Sequence, residues 1–203
     1  MTAGRACAFA RRALALAALL TPSGAAAQTA AAESFATGLL QFTWTPALLL
    51  LLLALSLWTG SFPMRRYIPL GIGFFLAFWL AVLVAPPLAQ AEFVTLAVAL
   101  AAALAAAAIP GRIWPLAVAL SLAGGASFGL STSDFDGTIT ARVMALIGAA
   151  LTANLGLYYL ATLTQTLRAR FQQDWCAIGL RIAAAWVGAV SLLMFALRFA
   201  PAA

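Results

Sequence analysis

Six apolar stretches, each close to the length that crosses a bilayer, leave this chain few folds to choose from. They run from Gly38 to Trp58, Tyr67 to Ala85, Phe93 to Ile109, Ile113 to Leu130, Arg142 to Leu163 and Cys176 to Leu197. A hydrocarbon core about 30 Å thick is crossed by roughly 20 helical residues. No water in that core can pair a free backbone N–H or C=O, so helices or closed barrels are the available solutions. The alternation that marks barrel strands is missing from these stretches. The expected fold class is therefore all-α: a polytopic membrane protein with a six-transmembrane-helix bundle. The composition agrees, because 65% of the residues are hydrophobic and only 8% charged, against about 25% charged in soluble domains.

A shorter apolar run comes first. Arg5, Arg11 and Arg12 form a basic region, Ala13 to Leu20 an apolar core, and Ala25-Ala26-Ala27 a small-residue cleavage site after the helix-breaking Pro22-Ser23-Gly24. The expected organisation is a signal peptide over residues 1–27 and a transmembrane domain over 28–203; the alternative is an uncleaved anchor forming a seventh helix. Cleavage would leave the mature N-terminus outside. Arg65, Arg66, Arg112, Arg168 and Arg170 then fall in cytoplasmic connections, and Glu92, Asp134 and Asp136 in the opposite ones. That is the arginine bias of the positive-inside rule. The expected location is a bacterial inner membrane with both termini periplasmic. Trp58, Tyr67, Trp114 and Trp175 are expected as an aromatic belt at the cytoplasmic interface. The net charge of +6 comes from arginines scattered at segment ends, so topology explains it and no nucleic-acid partner is expected.

The chain contains no histidine. That removes imidazole-based zinc sites and haem held by paired histidines. With Cys7 lost in the signal, Cys176 is the remaining cysteine and is expected to be a buried, inert thiol. Met64, Met144 and Met194 lie on different elements and do not make a soft-metal cage. The acidic turn from Ser131 to Gly137 lacks the closing Glu of a calcium loop. Gly125-Ala126-Ser127-Phe128-Gly129 has the look of an intramembrane serine protease's nucleophile run, but a serine hydroxyl needs a base. No His or Lys exists, and no carboxylate lies inside a span. The expectation is no enzyme activity, no catalytic residue, no metal and no cofactor.

Small residues recur every fourth position as Ser121, Gly125 and Gly129, and again as Gly148, Thr152 and Gly156. Such faces let helix backbones approach closely. The polar groups left inside the spans are Gln41, Thr43 and Thr45 on the first, Ser127 on the fourth and Asn154 on the fifth. They are the candidate lining of a substrate path, with Pro46 freeing a backbone carbonyl beside the first three. For Asn154 the competing role is interhelical hydrogen bonding, worth about 0.6–2 kcal/mol. Arg181, a few residues into the last span, is expected to snorkel to the interface or to meet an anionic lipid or partner there.

Gly38-Leu39-Leu40-Gln41-Phe42-Thr43-Trp44-Thr45-Pro46-Ala47-Leu48, followed by an apolar run to Leu57-Trp58, resembles the opening of the HupE/UreJ group of hydrogenase and urease accessory nickel permeases. Members carry a signal sequence, six helices and a first-helix motif His-Pro-x-x-Gly-x-Asp-His. Laid on the chain without a gap, that motif places Gln41 and Leu48 at the two histidines and Ala47 at the aspartate, with Leu57-Trp58 in register. Gly124 to Gly129 and Gly179 to Trp186 resemble two later family segments, without any histidine. The resemblance implies a permease scaffold. The substitutions imply that high-affinity nickel transport is lost, because a lone amide oxygen cannot replace the water stripped from a divalent ion.

Two functions follow as expectations. The first is a permease-like protein moving a different ion or a small neutral solute past the first, fourth and fifth spans. The second is a non-transporting structural or assembly subunit of a larger membrane complex. The expected partners are the lipid bilayer and either another membrane protein or further copies of the chain.

Overall fold

A computed structural model describes residues 22–84, 90–132, 138–171 and 174–198, which form seven helices and no strand. We label them α1 (Pro22–Trp44), α2 (Pro46–Thr59), α3 (Met64–Val84), α4 (Ala91–Ala108), α5 (Trp114–Ser131), α6 (Ile139–Arg170) and α7 (Asp174–Leu197). Helices α3 to α7 are each long and apolar enough to cross a membrane, and α1 with α2 make a sixth span if the bent pair is counted as one. The leader from Arg5 to Leu20 and the acidic turn at Asp134 and Asp136 lie outside the described residues. Ser23 and Gly24, expected to interrupt a helix, are helical within α1. Their propensity penalty, about 1 kcal/mol or less each, does not end a helix that continues into Ala25-Ala26-Ala27.

The stretch from Gly38 to Trp58, expected as one span with a proline inside it, is divided between two helices. It is broken at Thr45, and the axes of α1 and α2 meet at 75°. The cause is local. Pro46 has no N–H, and its ring pushes the preceding residue out of helical geometry; Thr45 is extended, with φ −113° and ψ 95°.

Helix α2 then becomes the hub. Ala47, Leu48, Leu51, Ala54, Leu55 and Trp58 are all fully buried, packed among α4, α6 and α7. This corrects the expected aromatic belt. Trp58 is 0% and Tyr67 4% exposed, so both are core residues, whereas Trp175 is 59% exposed. Trp58 is withdrawn because α2 is central, whereas Tyr67, on the more peripheral α3, is turned against α6, where its hydroxyl bonds Thr162.

The two small-residue faces meet different partners, and neither meets the other. Ser121, Gly125 and Gly129 on α5 lie against Leu70, Phe74 and Phe78 of α3, the numbers rising together, so the two helices run parallel. The Ser121 hydroxyl donates to the Leu70 carbonyl at 2.6 Å. A Cβ on Gly125 would fall on the Phe74 carbonyl oxygen. On α6, Gly148 faces the Phe35 carbonyl of α1, and Gly38 of α1 faces the Ala145 carbonyl in return. Thr152 bonds back to the Gly148 carbonyl at 3.0 Å, and Gly156 has only ordinary contact with Leu52. In Ser121→Ala the loss of the interhelical bond should lower stability by about 0.6–1.7 kcal/mol, measurable by denaturant titration in mixed micelles.

Helices α4 and α7 are pinned at both ends. Arg198 pairs with Glu92 in the first turn of α4. Arg181 donates to the Ala107 and Ala108 carbonyls at 2.8 and 3.1 Å. Those carbonyls end a helix and have no helical donor, and a cation there also complements the helix dipole. Arg181 thus caps a neighbouring helix. Cys176 is buried, 3.6 Å from the Leu167 carbonyl.

Candidate functional site

The α1–α2 break holds the least satisfied polar group near the expected path. Thr45 N–H donates to the Gln41 carbonyl at 3.1 Å, and Leu48 N–H donates to the Thr45 carbonyl at 3.0 Å. Because Pro46 lacks an N–H, the Phe42 carbonyl has no helical donor four residues on. Beside it the Gln41 side-chain oxygen Oε1 is buried with no hydrogen-bond partner. A buried acceptor left unpaired costs about 1–3 kcal/mol. Thr43 is exposed and its hydroxyl donates to the Leu40 carbonyl at 2.6 Å. Thr45 is half-buried and its hydroxyl does not cap α2. With 14 residues, α2 is about 21 Å long. That is shorter than a bilayer core, and the break itself lies at the outside of the bundle, with Trp44 82% exposed.

Ser127 lies elsewhere. It is 1% exposed and donates to the Gly124 carbonyl of its own helix at 3.1 Å. Its own carbonyl lies 3.4 Å from the Thr95 hydroxyl of α4, which also bonds the Ser131 hydroxyl at 2.8 Å. Ser127 therefore belongs to a closed α4–α5 contact. Asn154 is in a third place. Its amide Nδ2 donates to the Ala150 carbonyl at 2.9 Å, within α6. It lines a lateral groove between α3 and α6 that does not include Gln41. The five expected path residues are thus divided among three locations. Gln41 and Thr45 share the break, with Thr43 on its exposed side.

Several contacts were not anticipated. Gly38 is the α1 half of the α1–α6 approach, and the small pair Ser34 and Gly38, four apart, was a readable signal for it. Thr95 gives α4 a buried polar contact just before its Ala/Leu run. Tyr67 bonds Thr162 at 3.2 Å, and Gln165 donates to the Phe62 carbonyl at 2.7 Å, tying α6 to the α2–α3 turn. These pairs are about a hundred residues apart, with no local pattern to join them. Among the described residues no three His, Cys, Asp or Glu side chains converge.

The described residues are helical and carry five spans long and apolar enough to cross a membrane, or six with the bent α1–α2 pair, which defines a polytopic membrane protein. No family model, no curated protein and no solved structure matches the chain.

Proposed function

We propose that the protein is permease-like, a divergent relative of the HupE/UreJ group, and that the α1–α2 break is its substrate contact. The observation that carries this reading is the unpaired Gln41 oxygen in the last turns of α1 before its break from α2. Transporters use such discontinuous helices to offer free backbone groups to a substrate at membrane depth. In the resemblance, Gln41, Ala47 and Leu48 occupy the positions of the metal ligands, and these residues flank the break on both sides. What remains there is a set of acceptors: Gln41 Oε1 and the Phe42 carbonyl. Acceptors without imidazole or carboxylate suit a small neutral hydrogen-bond donor or a monovalent cation, and not nickel. Neither the inner-membrane location nor the periplasmic termini are needed for this reading, although the arginine distribution favours both.

The small-residue faces speak less for the subunit reading than their spacing suggested. Ser121, Gly125, Gly129 and Gly148 already face α3 and α1 of the same chain, whereas Gly156 is in only ordinary contact.

Uptake into proteoliposomes decides the matter. Gln41→Leu should reduce uptake of the transported solute at least tenfold and, by removing an unpaired acceptor, raise stability by about 1 kcal/mol. Wild-type uptake no greater than that of empty vesicles, across a panel of metals and small solutes, would overturn transport. Tight nickel binding by the tag-free protein would overturn the excluded cargo.

A further inference from the structure

We infer that the end of the bundle where α6 passes to α7 binds the phosphate of one anionic phospholipid, held by the guanidinium groups of Arg168 and Arg181. The two arginines come from different helices and are brought together by the docking of α7. Arg181 of α7 donates through Nε and Nη2 to the last carbonyls of α4, at Ala107 and Ala108. Cys176, in the first turn of α7, lies 3.6 Å from the Leu167 carbonyl and seats the start of α7 on the end of α6. Arg168 follows Leu167 directly, and its guanidinium is close enough to Cys176 and Arg181 to feel the charge of both.

Arg168 is a cation without a counter-ion. Its Nε is buried with no hydrogen-bond partner. Among the described residues no carboxylate pairs with it, and Glu92 is taken by Arg198 at the far end of α7. The charge is not relieved by loss of a proton, because a guanidinium stays protonated in proteins. Arg181 adds to the strain, since like charges repel strongly where water is scarce. A charge held partly out of water is ordinarily paired, so the arrangement calls for an anion from outside the chain. Arg181 has a donor left for it: with Nε and Nη2 on the α4 carbonyls, Nη1 is uncommitted. Two planar guanidinium groups from adjacent helices form a donor set suited to the several oxygens of a phosphate.

The surroundings favour a lipid phosphate over a free one. Trp175, Ile178 and Ile182 follow at three- and four-residue steps along one face of α7 and are 59%, 56% and 53% exposed. Arg181 borders that face, three residues from Ile178 and next to Ile182. Acyl chains cover such a ridge in a bilayer, and a phosphate at the two arginines would stand at the end of its own hydrocarbon. Arg168 itself lies five residues beyond the apolar stretch that ends at Leu163, where a headgroup is expected. Basic sites between helices at this depth are complementary to anionic headgroups.

The purified full chain in mild detergent is offered phosphatidylglycerol and phosphatidylcholine of matched acyl chains, and bound lipid is read by native mass spectrometry. One phosphatidylglycerol should remain on the wild type, preferred about tenfold over phosphatidylcholine. Arg168→Gln should lose that preference at an unchanged or higher melting temperature, because the group it removes makes no hydrogen bond within the described residues. Arg168→Met is the second variant should the glutamine impair folding, and Arg181→Gln should weaken retention as well. Arg65→Gln removes the same charge from an exposed site at the start of α3 and should leave the preference intact. Equal retention by Arg168→Gln and the wild type, the result expected if a carboxylate of the chain already neutralises the guanidinium, would overturn the inference. So would an equal loss in Arg65→Gln, which would reduce the effect to bulk charge. Excess inorganic phosphate should not displace the lipid; displacement would assign the site to a free anion instead.

Discussion

Gly125→Ala should destabilise the protein by about 2–3 kcal/mol, the upper part of the range for overpacking a filled interior. The added methyl meets the Phe74 carbonyl oxygen, which is backbone and cannot rotate away. Helices α3 and α5 must therefore separate, and the Ser121–Leu70 hydrogen bond one turn away would lengthen with them. In lipid no hydrophobic drive restores the contact, because acyl chains solvate the exposed faces as well as the partner helix does. Gly71→Ala is the matched control. The same substitution is made on a neighbouring helix, but the methyl enters open space, and the gain in helix propensity is up to about 1 kcal/mol. Denaturant titration of both variants in mixed micelles should give opposite signs. Equal effects would mean that α3 and α5 do not approach as closely as the backbone geometry requires.

The second large effect is expected at Trp58. Its side chain is fully buried, edge-on to Phe62 with ring centres 5.5 Å apart, and Phe62 in turn meets Trp114 at 5.9 Å. Trp58→Ala empties a site enclosed by helices and should cost about 3 kcal/mol. The loss is mainly of dispersion contacts, since the transfer from water that adds to such figures in soluble proteins is absent here. Trp58→Phe should stay within about 1 kcal/mol of wild type, because the indole N–H it removes is buried without a partner. A Trp58→Ala variant as stable as the wild type would return this residue to the lipid interface.

Much of the architecture was readable from the chain. Hydrophobic length located α3 to α7 within a few residues of their ends, apart from the extension of α6 to Arg170, whose polar sequence carries no hydropathy signal. The four-residue spacing of Ser121, Gly125 and Gly129 marked a close face but not its partner. That depends on which helices become neighbours, and Phe74 and Phe78 carry no mark of it in sequence. The candidate path was less legible. Gln41, Ser127 and Asn154 are equally conspicuous as polar residues in apolar segments, yet the fold assigns them to a break, a closed helix contact and a lateral groove. Polarity within a span is visible in one dimension; whether it finds a partner is a property of three.

The covalent chain by itself determined that the backbone would be helical, because long apolar stretches in lipid must satisfy their own N–H and C=O groups. It also determined that Pro46 would disturb the first span, since the missing N–H and the ring's steric demand act on residues already joined to it. Only the tertiary structure decided that this disturbance becomes a 75° bend with a buried hub beyond it. The size of a bend is set by what each half packs against, and α1 docks on α6 through Gly38 and Gly148 while α2 is enclosed by its neighbours.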